Sequence, residues 1–343
     1  MVKDASNVLQ IVPKIPGDRD GVGDYARTLA KRFESDHGIK TMFAAGNEMP
    51  VSKSERVILH YVNYGYQRRG VPFRLLSILR KLRHDTRGRL VTIFHELYAS
   101  GPPWRSAFWL RPLQIHVARE IARLSDAGIV SDESSLQELH RLCSNLSVFA
   151  QPIFSAFGEP DLSPAQITER DPHRWVICGG TGLVERSLRS FHRAAQALPA
   201  EFSPRELFVL GGKDNPVARE LIVDLAPMRV EYRPQIGADE ASQILSTCAF
   251  AWLDYFHRSD VRSDAILKSS SFAALCAHGV VALFPHPGTT ISLEADPLPG
   301  PFSVSELPAD PASTRSTIYS WYRRHASSKK CADQILRALD STK

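Results

Sequence analysis

The chain has 343 residues, 43% apolar and 23% charged, the balance of a soluble globular protein. That length suggests two domains of about 150 residues, and no apolar run approaches the ~20 residues that span a bilayer. Five cysteines (Cys143, Cys178, Cys248, Cys276, Cys331) are scattered and never form a CxxC pair. With no signal peptide at the head, this excludes a disulfide framework or zinc site and predicts a cytoplasmic protein with buried thiols. The net charge is only +5, yet eight basic residues (Arg68, Arg69, Arg74, Arg80, Lys81, Arg83, Arg87, Arg89) stand against Asp85 between Gln67 and Leu90.

In chain order, strands are predicted at Asn7–Val12, Arg56–Val62, Leu90–His95, Ala127–Ser131 and Leu146–Phe149. Helices are predicted at about 22–37, 72–83, 104–124 and 133–143. Runs such as Val91-Thr92-Ile93-Phe94 do not alternate with polar residues, as expected for strands buried on both faces of a parallel sheet. Residues 158–172, with three prolines and four acids, read as a linker. The alternation then restarts. Strands are expected at Trp175–Cys178, Leu207–Leu210, Val230–Tyr232, Phe250–Leu253 and Val280–Phe284, and helices at 185–198, 214–225, 238–247, 270–278, 312–326 and 328–341. Strand and helix in alternation give doubly wound α/β domains, which bind ligands beside the carboxyl ends of their sheets.

Several stretches offer chemistry there. The first is GDRDGVGDYARTLAKRF, residues 17–33, with Gly17, Gly21 and Gly23 where a strand becomes a helix. Glycine lets backbone approach a ligand, and a helix start presents N–H groups to an anion. The spacing is neither G-x-G-x-x-G nor a Walker loop, so a dinucleotide dehydrogenase and a P-loop kinase are poorly supported. In VTIFHELY, residues 91–98, His95 and Glu96 end a buried strand and are candidates for acid–base or hydrogen-bonding work; Ala99 rules out HExxH.

In the second half, VICGGTGLVERSLRSF (176–191) repeats the strand–glycine–helix pattern at Gly180 and adds Arg186 and Arg189. FVLGGK (208–213) supplies Gly211, Gly212 and Lys213. AILKSSSFAALCAHG (265–279) places Lys268 beside a helix start, with Ser270 or Ser271 as the cap and Gly279 as the stop. Either these are local caps and turns, or a cation and helix N-termini converge on a pyrophosphate. The basic stretch 67–90 reads either as a solvated helix face or as a surface for anionic lipid headgroups. Trp104, Phe108 and Trp109 either rim an acceptor groove or sit in the core. No pattern for nucleic-acid binding appears.

Taken together, GVGDYARTLAKRF, FHELY, SDESSLQELHRL, VEYRPQIGADEASQILSTCAFAWL and SFAALCAHGVVALF make the chain resemble the retaining nucleotide-sugar glycosyltransferases of the GT-B fold, family 4 in particular. The resemblance implies two Rossmann-like doubly wound parallel-sheet domains facing across a cleft. Residues 1–160 would form the acceptor side, 161–327 the nucleotide-sugar donor side, and a helix at about 328–343 would pack back on the first domain. It implies backbone contacts from Gly21 and Gly23 to the donor phosphates and places Asp24, Tyr25 and Glu96 on the acceptor side. His95 would lie near the donor sugar as the catalytic candidate. Arg186, Lys268, Ser270 and Ser271 would hold the phosphates, with Gly180, Gly211, Gly212 and Lys213 around the nucleotide.

One departure stands out. The family carries two glutamates with seven residues between them, and those positions are Ile266 and Ala274 here. The expected activity is transfer of a sugar from a nucleotide sugar to a polysaccharide, glycolipid or lipid-linked acceptor, without metal or further cofactor. The chain would be peripheral on the inner face of the membrane. A non-catalytic GT-B module serving as a partner or regulatory subunit is the alternative, and sugar-nucleotide epimerisation a third reading.

Overall fold

A computed structural model describes residues 7–17, 20–46, 56–86, 88–99, 101–256 and 262–341. Arg87 and residues 257–261 therefore lie outside it. The chain divides into two units, Met1–Pro152 with Ser328–Lys343, and Ile153–Ser327.

The first unit runs β1 (Val8–Val12), α1 (Gly21–His37), β2 (Thr41–Ala45), β3 (Arg56–Tyr61), α2 (Asn63–Tyr66), α3 (Phe73–Asp85), β4 (Arg89–Phe94), α4 (Ser106–Leu124), β5 (Ala127–Val130), α5 (Glu133–Leu142) and β6 (Ser147–Ala150). Its six strands pair in parallel in the order β2-β1-β3-β4-β5-β6. The chain runs outward from β1 in both directions, so the switch point lies between β1 and β3. The inner strands are nearly continuous buried apolar runs, while β2, at the edge, is mostly half-exposed. That exposure is why its sequence, TMFAA, gave no strand signal. Asp20 caps α1 by accepting from the Gly23 amide, and Gly38 ends it in the left-handed region at φ 65°. The C-terminal helix, Ser328–Asp340, lies along α1: Arg32 donates to Ser328 at 2.8 Å and His37 pairs with Asp333 at 2.9 Å.

The second unit runs α6 (Pro164–Thr168), β7 (Arg174–Cys178), α7 (Thr181–Ala197), β8 (Glu206–Leu210), α8 (Pro216–Val223), β9 (Arg229–Arg233), α9 (Ala238–Leu245), β10 (Phe250–Trp252), α10 (Ser270–Ala277), β11 (Val281–Phe284), β12 (Ile291–Leu293), β13 (Asp296–Leu298), β14 (Phe302–Ser303) and α11 (Pro311–His325). Its main sheet is also parallel, ordered β14-β11-β10-β7-β8-β9, with the switch point between β7 and β10. A short antiparallel pair, β12 with β13, occupies the proline-rich stretch.

The segment expected to be a linker is instead packed structure. Ser163 and Gln166 form a capping box on α6, and the Tyr322 hydroxyl reaches Glu159 at 2.6 Å. Arg170, nearly buried, donates to the carbonyls of Gln166, Cys248 and His278. Glu159 and the Pro160 carbonyl meet Tyr322 and Tyr319 and Pro164 opens α6, while Asp161, Glu169 and Asp171 face solvent. The units divide earlier, after Pro152.

Candidate functional site

At the switch point of the first sheet, polar side chains cross three adjacent strands. Gln10 pairs in register with Ile58, and His60 with Ile93. Because alternate residues share a face, Gln10, His60 and His95 rise together toward the carboxyl edge. The Gln10 amide nitrogen donates to the Ala26 carbonyl of α1 at 3.2 Å, and its oxygen lies 2.7 Å from His60 Nε2. His60 Nδ1 lies 3.2 Å from His95 Nε2. Gln10 and His60 are completely buried, and His95 is half-buried. Burial pushes the His95 imidazole down to about 4, and burial with the neighbouring His95 pushes His60 well below its ordinary value. Both rings are therefore neutral at physiological pH.

Tyr25, expected on the acceptor side, closes this cluster instead. Its ring meets His95 edge-on at 5.0 Å and His60 at 5.8 Å, and its hydroxyl pairs with Cys331 Sγ at 3.1 Å. That buried hydroxyl already has its partner. The glycine loop also divides. The amide of Gly23 is held by Asp20, and a Cβ there would lie 3.1 Å from the Asp20 carboxylate, so Gly23 serves the cap rather than offering its N–H to a ligand. Gly21 faces open space. Asp24 forms an ion pair with Arg27, while Glu96 is exposed just beyond His95.

The second unit gathers its glycines more tightly. Gly211 and Gly212 adopt φ of 89° and 67°. A Cβ on Gly211 would come within 2.7 Å of the Gly179 carbonyl, and one on Gly212 within 2.9 Å of the Thr181 backbone. Lys213 N–H donates to Thr181 Oγ1 at 2.8 Å, locking the β8 turn onto the start of α7. Ser271 is part of the same cluster, since a Cβ on Gly179 would meet its Oγ at 3.2 Å. Gly180 is the N-cap of α7 and provides no side chain, and Cβ atoms on Gly180 or Gly182 would meet nothing within 4 Å. The start of α7 thus has no side-chain cap and has clear space beside Gly180 and Gly182, at the carboxyl end of β7 next to the switch point. A helix start of this kind is where an anion is best received.

The cap of α10 is Ser269, which accepts from the Phe272 amide at 3.2 Å; Ser270 and Ser271, expected to cap, occupy its first turn. Lys268 is exposed at the end of the 3-10 turn Ser263–Lys268. Arg186 on α7 reaches the Asp254 carbonyl beyond β10 at 3.4 Å, and Arg189 is engaged by Glu185 at 2.8 Å. Ile266 and Ala274 are completely buried. Among the described residues no group of three His, Cys, Asp or Glu is arranged to hold a metal ion.

No protein-family model matches the sequence, and no curated protein does. Solved structures do resemble it. WaaG, a glycosyltransferase involved in lipopolysaccharide biosynthesis, superposes with a TM-score of 0.52 at 12% identity, covering 98% of this chain and 100% of WaaG. An alpha-glucosyltransferase in complex with UDP and DNA gives 0.55 at 10% identity, covering 98% and 99%. A UDP-N-acetylglucosamine 2-epimerase, so described putatively, from Listeria monocytogenes gives 0.54 at 11%, covering 98% and 96%. The fold is GT-B. Two six-stranded parallel sheets with interleaved helices account for the match over the whole chain.

This GT-B chain carries its glycine turns, His95 and the α10 start on the elements where the sequence places them. Gln10, His60 and Gly182 were not singled out from sequence. The signal for the first two was present, as a polar residue inside each of the apolar runs VLQIV and VILHYV.

The aromatic side chains near 104–109 lie outside the core. Trp104 is 82% exposed and Trp109 71%, with Phe108 and Leu113 also exposed. The Trp109 indole donates to the Pro103 carbonyl at 2.8 Å, and its ring meets Phe108 at 5.3 Å, so loop and helix start form one patch. Gln114 on α4 binds the Tyr64 hydroxyl and the Arg69 carbonyl, which brings the basic loop 67–71 alongside. Deeper in α3 the charges are neutralised: Arg83 binds Asp126 at 2.9 Å and Arg80 binds Glu120 at 2.8 Å. No described helix is long and apolar enough to cross a membrane.

Proposed function

We propose that this chain is a glycosyltransferase that takes its sugar from a nucleotide-sugar donor. The observation that carries the reading is the uncapped start of α7, with open space over Gly180 and Gly182, locked against Gly211–Lys213 and beside Ser271. In this reading the α7 amides, Ser270 and Ser271 receive the diphosphate, and Lys268 and Arg186 offset its charge as it leaves. His95, Glu96 and Asp24 face the sugars, with the acceptor hydroxyl attacking while the departing phosphate takes its proton. Catalysis is then mainly positioning and electrostatic preorganisation. The exposed aromatic patch with Arg68, Arg69, Arg105 and Arg111 suits an acceptor at an anionic lipid surface, since aromatic rings favour the headgroup layer and arginines its charge.

Thermal unfolding against UDP, GDP, ADP, dTDP and CDP, with Lys268→Ala as the control, tests the donor site. A nucleotide at about 100 times its Kd adds about 2.7 kcal/mol, a rise on the order of 5 °C for a chain of this size. One base raising the wild type but not Lys268→Ala supports the reading, and sugar transfer from the matching nucleotide sugar then checks the chemistry. No rise with any base overturns it and favours the second reading, a non-catalytic GT-B module. That alternative draws on Ile266 and Ala274, two buried apolar side chains where family 4 carries glutamates. Release of free nucleotide with an isomerised sugar and no acceptor product would instead mark an epimerase.

A further inference from the structure

We infer that Gln10 and His60 are positioning residues that hold His95 in one tautomer, proton on Nε2, so that its Nδ1 is presented as a hydrogen-bond acceptor. The chain of reasoning begins at a backbone carbonyl, which cannot change its role. The Ala26 oxygen only accepts, so the Gln10 group 3.2 Å from it is the amide nitrogen and the Gln10 oxygen is turned to His60. That oxygen also only accepts, and at 2.7 Å it requires a proton on His60 Nε2. A neutral imidazole carries one N–H, so His60 Nδ1 bears a lone pair. His95 Nε2, 3.2 Å away, is then the donor. His95 is itself neutral, which leaves its Nδ1 as an acceptor, and no described residue bonds it. The Tyr25 hydroxyl is paired with Cys331, and its ring stands T-shaped to the two imidazoles.

The consequence is chemical selectivity. An unprotonated nitrogen held by a buried relay receives a hydroxyl proton and repels a phosphate oxygen, so His95 recognises a polyhydroxylated group and not the diphosphate. This consequence rests on the donor-sugar reading above; the tautomer does not.

Full-length protein labelled with 15N-histidine, examined near neutral pH by two-bond nitrogen–proton correlation, reads each tautomer directly. His60→Gln and His95→Gln identify the two spin systems by their disappearance. The expected result is Nε2–H on both rings. In Gln10→Leu, which removes the fixed acceptor, the His95 nitrogens should move toward the average of two tautomers while the other histidines stay unchanged. Gln10→Glu should reverse the polarity: a carboxylate draws a second proton onto His60, whose Nδ1 then donates, leaving His95 with Nδ1–H. A relay that merely fills space predicts no reversal. Saturating pyrophosphate should leave His95 in its neutral pattern. Nδ1–H on His95 in the wild type, a pattern unmoved in both Gln10 variants, or an imidazolium formed on adding pyrophosphate each overturns the inference. The nucleotide screen can fail while this spectrum stands, and the reverse, so the two claims are separable.

Discussion

Individual glycines in the second unit do different work, and substitution separates them. Gly211→Ala would place a methyl group 2.7 Å from the Gly179 carbonyl at a φ of 89°, so strain and clash add. A loss on the order of 2–3 kcal/mol is expected in denaturant unfolding. Gly182→Ala sits in open space inside α7 and should gain up to about 1 kcal/mol of helix propensity. If the α7 start receives a phosphate, the same methyl group obstructs it, and Gly182→Ala should bind the selected nucleotide about tenfold more weakly while unfolding later. Unchanged binding in that variant would remove α7 from the donor site. His95 and Gln10 make the same point about polar residues: what matters is which atom carries the proton, and neighbours two strands away decide that.

Among the elements, α3 and α4 redistribute the basic stretch. Charge counting along residues 67–90 leaves open a solvated helix face or a lipid-facing surface made of helix and loop together. In the structure Arg80 and Arg83 of α3 are neutralised by Glu120 and Asp126, on or beside α4. Apart from Phe73 at the first position of α3, the exposed apolar side chains here are Trp104 before α4 and Phe108, Trp109 and Leu113 on it. The cations beside them are Arg68 and Arg69 from the loop before α3 and Arg105 and Arg111 at the start of α4. Vesicles of anionic lipid should therefore lose the double variant Trp104→Ala/Trp109→Ala more than Arg80→Ala/Lys81→Ala/Arg83→Ala. Burying two indoles in the headgroup layer is worth about 2–3 kcal/mol, which corresponds to a loss on the order of a hundredfold in partitioning. Equal losses for the two variants would extend the surface to α3, and no partitioning of the wild type would leave the patch as protein surface alone. Arg83→Ala carries a second readout, because a bidentate pair with a buried carboxylate is lost and thermal stability should fall with it.

At the scale of the whole molecule, two buried imidazoles, His60 and His278, and the half-buried His95 set a pH dependence. Burial brings His95 and His278 to about 4, and His60 shifts in the same direction. In the unfolded chain each takes up its proton near pH 6.5, so between about 4 and 6.5 the unfolded state binds more protons. The stability these groups contribute is complete above about 6.5 and is lost as the pH falls toward 4. His278 accepts from Ser242 at 2.8 Å and donates to the Ala274 carbonyl at 2.7 Å, and its share alone is on the order of 3 kcal/mol. Melting temperature should decline steadily from pH 6.5 to 4.5, with a shallower slope in His278→Gln. A flat profile over that window would mean the imidazoles are solvated.

What the sequence determined by itself was the alternation of apolar strands with amphipathic helices, the glycine turns at β1, β7 and β8, and the stop at Gly279, which takes φ of 64°. These are local signals: periodicity, capping and backbone freedom depend on neighbours within a turn or two. The edge strand β2, the packing of residues 158–172 against Tyr319 and Tyr322, and the choice of Ser269 as cap depended on partners elsewhere in the chain. So did the difference between Gly23, closed by Asp20, and Gly182, which is open. The line from Ala26 through Gln10 and His60 to His95 exists only because parallel pairing brings positions 10, 60 and 95 onto one face. Sequence separation carries no information about that proximity; strand order and register do.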